Sequence, residues 1–348
     1  MSVMGRMRSV ALRGGVVLVS AAVLCSAFVA SALAVPLAPG DLIVADFNGG
    51  GGPVGDPPGG RILKVDPTTG AQTMISYGSN LDMPYDVGID PAGNIVVLDR
   101  DAAGQIIKVN PADGGQTVIS QAGLFVNPMG LAIDASGYII VADQAYAGTG
   151  GIIKVDPITG AQAAIASGGS ISGPSDVTID GAGNLYVTSV PAGGGLAVVK
   201  VDPVTGVQTV VSSDPTTRWY SGILFHEPTG NIFVDELYWL NGVIGVDPST
   251  GVQTTLSSGG NFQDPYNLAT DPDGNLVVAD SNWWNPGKII KVDPVTGGQT
   301  LISSGGLLVD PAGIAVYAIQ EPIPEPASLS LLAIALAGLR FGRRRRKR

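Results

Sequence analysis

Lys64-Val65-Asp66-Pro67-Thr68-Thr69-Gly70-Ala71-Gln72-Thr73 decides the fold, because the chain repeats it. Copies begin again at Lys108, Lys154, Lys200, Gly245 and Lys291, at spacings of 44, 46, 46, 45 and 46 residues. A four-stranded propeller blade takes about 40–50 residues, so six copies at this period predict six blades.

Each unit resolves into four short strands. In the second, Val87 to Ile89 and Asn94 to Leu98 flank a turn at Asp90-Pro91-Ala92-Gly93; Gln105 to Val109 and Gln116 to Ser120 flank one at Asn110 to Gly114. Val, Ile and Thr dominate the runs, as a pleated, half-buried surface favours. In the turns proline presets φ and glycine supplies a positive φ. Helical periodicity is missing from the body, which excludes a helical solenoid. The N-terminal end starts in mid-unit, with Asp41 to Asp46 as a second strand lacking a first. The C-terminal end stops after Pro311 to Tyr317, a first strand lacking the rest. Together they predict one shared blade that closes the ring and removes its open edges. The expected architecture is all-β, six blades of four strands, over residues 35–321, with helical segments confined to the two ends. The units resemble NHL-repeat and SMP-30-type propellers, best at Pro84 to Asp99 and Pro265 to Asp280. That resemblance implies a fold, which binding proteins and enzymes share.

Residues 1–34 read as a signal peptide: Arg6, Arg8 and Arg13, an apolar stretch from Gly14 to Ala30, then Ser31-Ala32-Leu33-Ala34 for signal peptidase. Cys25 does not mark a lipoprotein, since Leu24 before it is too large. At the other end Pro324-Glu325-Pro326 precedes an apolar run from Leu329 to Leu339 and a basic cluster from Arg340 to Arg348. Such a run ended by arginines reads as a short transmembrane, stop-transfer element. It is shorter than the roughly 20 residues of a full span, which suits a processed anchor. This three-part pattern over residues 322–348 closely resembles the PEP-CTERM sorting tail of Gram-negative bacteria. The resemblance implies a transient stay in the inner membrane and recognition by an exosortase, with cleavage near Pro324-Glu325-Pro326. It further implies a cell-surface or extracellular destination in bacteria that make extracellular polysaccharide.

Nine Lys+Arg stand against 29 Asp+Glu between residues 35 and 326, a net charge near −20. A surface of that sign repels nucleic acid and attracts cations. The single cysteine leaves with the signal peptide, so no disulfide or thiol chemistry is expected.

In a propeller, the loops joining strands 2 to 3 and 4 to 1 share one face. They vary here, while the tight turns on the other face do not. Strand 2 ends in Asp46, Asp99, Asp143, Glu236 and Asp280, with Ser189 in the sixth unit. A carboxylate ring suits Ca²⁺, but its regularity favours a role in holding backbone N–H groups. Strand 1 begins with Asp86, Asp176 and Asn267 in three units and Gly130 and Gly313 in two others. These should face the channel mouth, and the first three form a candidate cation site, for Ca²⁺ if occupied. SMP-30-type lactonases use an Asn or Asp just after the repeat proline. Tyr85, Met129, Ser175, Tyr266 and Ala312 hold that place here, so a metal-dependent lactonase-like hydrolase or lyase is the weaker alternative. The loops also carry Trp219, Tyr220, Tyr238, Trp239, Trp283 and Trp284, all within units four to six. Flat aromatic faces beside Asn282, Asn285 and Asp264 suit sugar rings and hydroxyls. They point to a non-enzymatic binding or scaffold module for polysaccharide; loop packing, in a purely structural matrix component, explains the same residues. His226 is the sole histidine and sits in strand 1 as a packing or capping residue, so neither a zinc set nor a triad is expected.

Overall fold

The computed structural model describes residues 36–47, 59–190, 195–216, 220–237, 240–281 and 286–318; of Tyr220 only the backbone is described. Six four-stranded antiparallel sheets form a ring. Blade 2 is typical: an inner strand Pro84–Ile89, then Ile95–Asp99, Gln105–Val109 and an outer strand Gln116–Gln121. Blades 3 to 6 repeat this order from inner strands Pro128–Ile133, Val177–Ile179, Tyr220–His226 and Pro265–Thr270. In blade 1 the C-terminal strand Pro311–Val316 is the inner one and pairs with Leu42–Asp46. The predicted closure by a shared blade is therefore the one observed. Gly40 N–H donates to Tyr317 O and Tyr317 N–H to Asp41 O, both at 2.8 Å, so the two ends of the ring are bonded to each other.

Apolar side chains from neighbouring blades meet in the seams, and that is where the core lies. Ile43 and Ile62 of blade 1 pack with Val87, Val97 and Ile107 of blade 2, all buried. Each such Ile or Val contributes about 1.5–3 kcal/mol by leaving water.

The repeated decapeptide works as a clasp between blades. Asp66 Oδ1 accepts from the N–H groups of Thr68 and Thr69 and shapes the turn. Gly70 has φ of 69°, and a Cβ there would lie 2.3 Å from Ile302 O of blade 6. Only glycine meets both demands. Gln72 then reaches back: its Nε2 donates to Ser303 Oγ and Gly305 O, and its Oε1 accepts from Leu307 N–H. Ser303 Oγ donates to Gly70 O. The same Ser–Gly–Gln set joins Ser76 to Gln116, Ser120 to Gln162, Ser212 to Gln253 and Ser257 to Gln299. At the seam between blades 3 and 4 the serine is replaced by Ala166.

Candidate functional site at the ring axis

The inner strands open with a register break. Pairing skips between Pro84 and Asp86, between Pro128 and Gly130, and between Pro265 and Asn267. Such bulges re-aim side chains and recur beside functional sites. Here they turn the residue after the break toward the axis.

Around the ring that position reads Asp86, Gly130, Asp176, Gly222, Asn267, Gly313. The alternation is steric. A Cβ on Gly130 would stand 2.1 Å from Asp176 Oδ1; one on Gly222 would stand 2.9 Å from Asn267 Cα; one on Gly313 would stand 2.6 Å from Asp86 Cα. Each glycine clears room for the polar residue of an adjoining blade, and the three predicted cation-site residues converge. Asn267 Nδ2 lies 3.4 Å from both Asp86 Oδ1 and Asp176 Oδ2. Asp86 also accepts from Val87 N–H at 2.8 Å and from Leu131 N–H of blade 3 at 2.7 Å. Asp176 accepts from Val177 N–H at 2.7 Å and from Ile223 N–H of blade 5 at 2.9 Å. Each carboxylate thus stitches two inner strands.

Both are buried, and burial is what pushes the Asp86 carboxyl up to about 7. Asp176 is raised well above the ordinary carboxylate range, by burial first and then by the charge of Asp86. Asp235 was not anticipated from the sequence. It is wholly buried on Asn231–Glu236, the second strand of blade 5, and raised by burial and by the Asp280 charge. Other blades hold Ala45, Leu98, Ala142, Thr188 and Ala279 at its place. That break in the repeat was the available signal, masked by Glu236 beside it, which fits the strand-end pattern.

Above this cluster lies an apolar cap of Phe47, Tyr85, Met129 and Ala312, against which Tyr266 packs. The Tyr85 and Tyr266 hydroxyls are in contact, the rings meet edge to face, and the Arg100 guanidinium sits 4.2 Å over the Tyr85 ring. A cavity of ≈ 10 Å³, room for about one water molecule, remains beneath, lined in part by Ser175, Asp176, Ser221 and Asn267.

The strand-end carboxylates hold loops. Asp99 Oδ2 accepts from Asp82 and Met83 N–H, Asp143 from Val126 and Asn127 N–H, Asp46 from Val309 and Asp310 N–H. Ser189 Oγ accepts from Ser172 N–H in the same role. His226 is buried, with Nδ1 on Thr229 Oγ1 and Nε2 on Gly274 O, the packing role expected of it. Trp219, Tyr238, Trp239, Trp283, Trp284, Asn282, Asn285 and Pro324-Glu325-Pro326 lie outside the described residues, as does the signal segment. No helix among the described residues is long and apolar enough to cross a membrane.

The class these features define is an exported, surface-sorted β-propeller. Residues 322–347 match the PEP-CTERM protein-sorting motif, a recognition signal for exosortase-type sorting. Among solved structures, the chain is similar to virginiamycin B lyase from Staphylococcus aureus, determined in selenomethionine-substituted form. That likeness has 16% identity and a TM-score of 0.51, and covers 66% of this chain and 73% of the lyase. At that identity it speaks for the fold alone. No curated protein matches the chain.

Proposed function

We propose that the protein is a non-enzymatic binding or scaffold module of the cell surface or extracellular matrix, which holds polysaccharide on its variable loop face. The observation that carries this reading is the closed axis. With Tyr85, Tyr266, Met129 and Phe47 over the mouth, the remaining space is water-sized, far below the few hundred Å³ of a small-molecule pocket. Turnover of a lactone or sugar at the axis has no entry, which weighs against the hydrolase or lyase alternative suggested by the SMP-30-like and NHL-like repeat pattern. Recognition is left to the face away from the tight turns.

In the sequence the aromatic stretches stand between described strands. Residues 217–219 join the outer strand of blade 4, Gln208–Asp214, to the inner strand of blade 5. Residues 238–239 and 282–285 join second and third strands in blades 5 and 6. Trp219, Trp239, Trp283 and Trp284 thus issue from two adjacent blades, on a body whose acidic surface suits neutral sugars better than anionic polymers.

Binding of the purified protein to a panel of bacterial exopolysaccharides tests the proposal. Replacing Trp283 and Trp284 together by Ala should remove retention while leaving thermal unfolding unchanged. Retention that survives the pair of changes would refute the assignment.

A further inference from the structure

The residue that follows the second strand holds one backbone place in blade after blade. Phe47, Arg100, Gln144, Val190 and Ser281 each donate N–H to a carbonyl of the segment leading into the inner strand: Asp310, Met83, Asn127, Ser172 and Asp264. Leu237 is the corresponding residue of blade 5. Arg100 is thus the one charged residue at this place, and the other blades close without a charge there. The fold does not ask for a cation in blade 2, so the departure from the repeat needs another reason.

Arg100 is half-buried where blades 2 and 3 meet on the loop face. Its guanidinium lies over the Tyr85 ring, and Nη2 donates to Asn127 Oδ1 of blade 3 at 2.9 Å. Asn127 Nδ2 passes the row on to Gln144 Oε1 at 2.8 Å. Nε is buried without a partner. Asp99 and Asp101 flank the arginine in the chain, but the Asp99 oxygens accept from the N–H groups of Asp82, Met83 and Asp101. Among the described residues Arg100 forms no ion pair, in a chain with 29 Asp+Glu. A planar guanidinium takes a carboxylate through two parallel N–H···O bonds, and here the protein supplies none.

We propose that Arg100 receives a carboxylate of the polysaccharide, that of a uronic acid, with the amides of Asn127 and Gln144 beside it for the hydroxyls of the same sugar. The inference rests on the polysaccharide reading above and narrows the class of polymer: neutral sugars with acidic residues set apart along the chain. A polymer charged at every sugar is repelled by a body of net charge near −20. One carboxylate in contact with a guanidinium feels mainly that cation, because exposed charges farther off than about 8 Å are screened at physiological ionic strength.

Affinity electrophoresis of the full exported chain tests this on gellan, a linear exopolysaccharide with one glucuronate in each repeat, and on the same polymer with its carboxyls reduced to alcohols. The acid form should be held on the order of tenfold more tightly, the usual worth of a hydrogen bond to a charged group. Arg100→Gln should hold the two forms equally. Arg100→Lys should fall between, since an ammonium keeps the charge and loses the fork. Equal retention of both forms by the wild type, or tighter retention of the reduced one, overturns the assignment of Arg100 and leaves the polysaccharide reading standing. Retention of neither form overturns it as well, while the wider exopolysaccharide panel still decides the parent reading. An acid preference that survives Arg100→Gln puts the carboxylate elsewhere and overturns the site. Should Arg100→Gln not fold, Arg100→Lys decides alone: an acid preference equal to that of the wild type overturns the bidentate contact.

Discussion

The aspartates of this protein fall into two electrostatic kinds, and the backbone around each decides which. Asp66, Asp156, Asp202, Asp247 and Asp293 open the outer turns, where N–H donors two and three residues on, and at Asp247 first the Ser249 hydroxyl, hold their carboxyls below the usual range. Asn110 fills that place in blade 2 and accepts from Ala112 N–H without a charge. Asp280 is the opposite: burial lifts it to about 6. The signs oppose. A lowered carboxyl stabilises the fold above its unfolded value of 3.8 and stops doing so as pH falls below it. A raised one stabilises the fold below 3.8 and is lost as pH climbs through about 6. Thermal unfolding followed from pH 7 down to about pH 3 should show the acid loss, smaller in Asp156→Asn, which copies Asn110. An identical acid limb in that variant would show that the turns do not contribute it. The turn aspartates were legible in the sequence because their partners are local. Asp235 was not, because what makes it unusual is its burial behind Gly222 of the neighbouring strand and the charge of Asp280 in the next blade.

At the scale of the element, the decapeptide that reveals the fold also holds it. Glycine, glutamine and the serine of the preceding blade recur at five of the six seams because they bond one another across the seam. The strands and their number could be read from periodicity, but the seam partner could not, since Gln72 and Ser303 are joined only when the ring closes. The seam between blades 3 and 4 lacks the hydroxyl. Gln208 still accepts there from Ser170 and Ile171 N–H, while Ala166 offers no donor to Gly206. Ala166→Ser should therefore raise stability by about 0.5–1.5 kcal/mol, the usual net worth of a hydrogen bond. Denaturant titration would show it as a higher midpoint at constant slope. A lower midpoint would mean that the seam is already filled. The alternation of glycine with Asp86, Asp176 and Asn267 is a second device of this kind. The residues were visible in the sequence as candidates; the reason for the intervening glycines, close approach across seams, needed coordinates.

For the whole molecule, closure depends on the last strand. Pro311–Val316 covers the inner edge of Leu42–Asp46, and Asp46 accepts from Val309 and Asp310 N–H, 263 and 264 residues away in sequence. Ending the chain after Asp310 would bare a strand whose five residues are all buried. Such an edge invites pairing with another copy. Size-exclusion chromatography of that truncation should show higher oligomers where the intact chain elutes as one species. A truncated chain that elutes like the intact one would show that the shared blade is dispensable. The complementary half-units at the two ends were readable in the sequence because a propeller admits no partial blade. The fate of the aromatic loops was not, since they carry no repeat to reason from.

The bonded pair of ends at Gly40, Asp41 and Tyr317 also fixes where the chain enters and leaves the ring. The last inner strand runs from the loop face to the tight-turn face, so its described end lies on the turn side. Six residues separate Tyr317 from Pro324, a reach of at most about 25 Å even when fully stretched. A chain held at Pro324 therefore keeps the ring within that distance of the point of attachment. The tight turns that repeat from unit to unit share the face where that strand ends. The loops that differ between units lie on the opposite one.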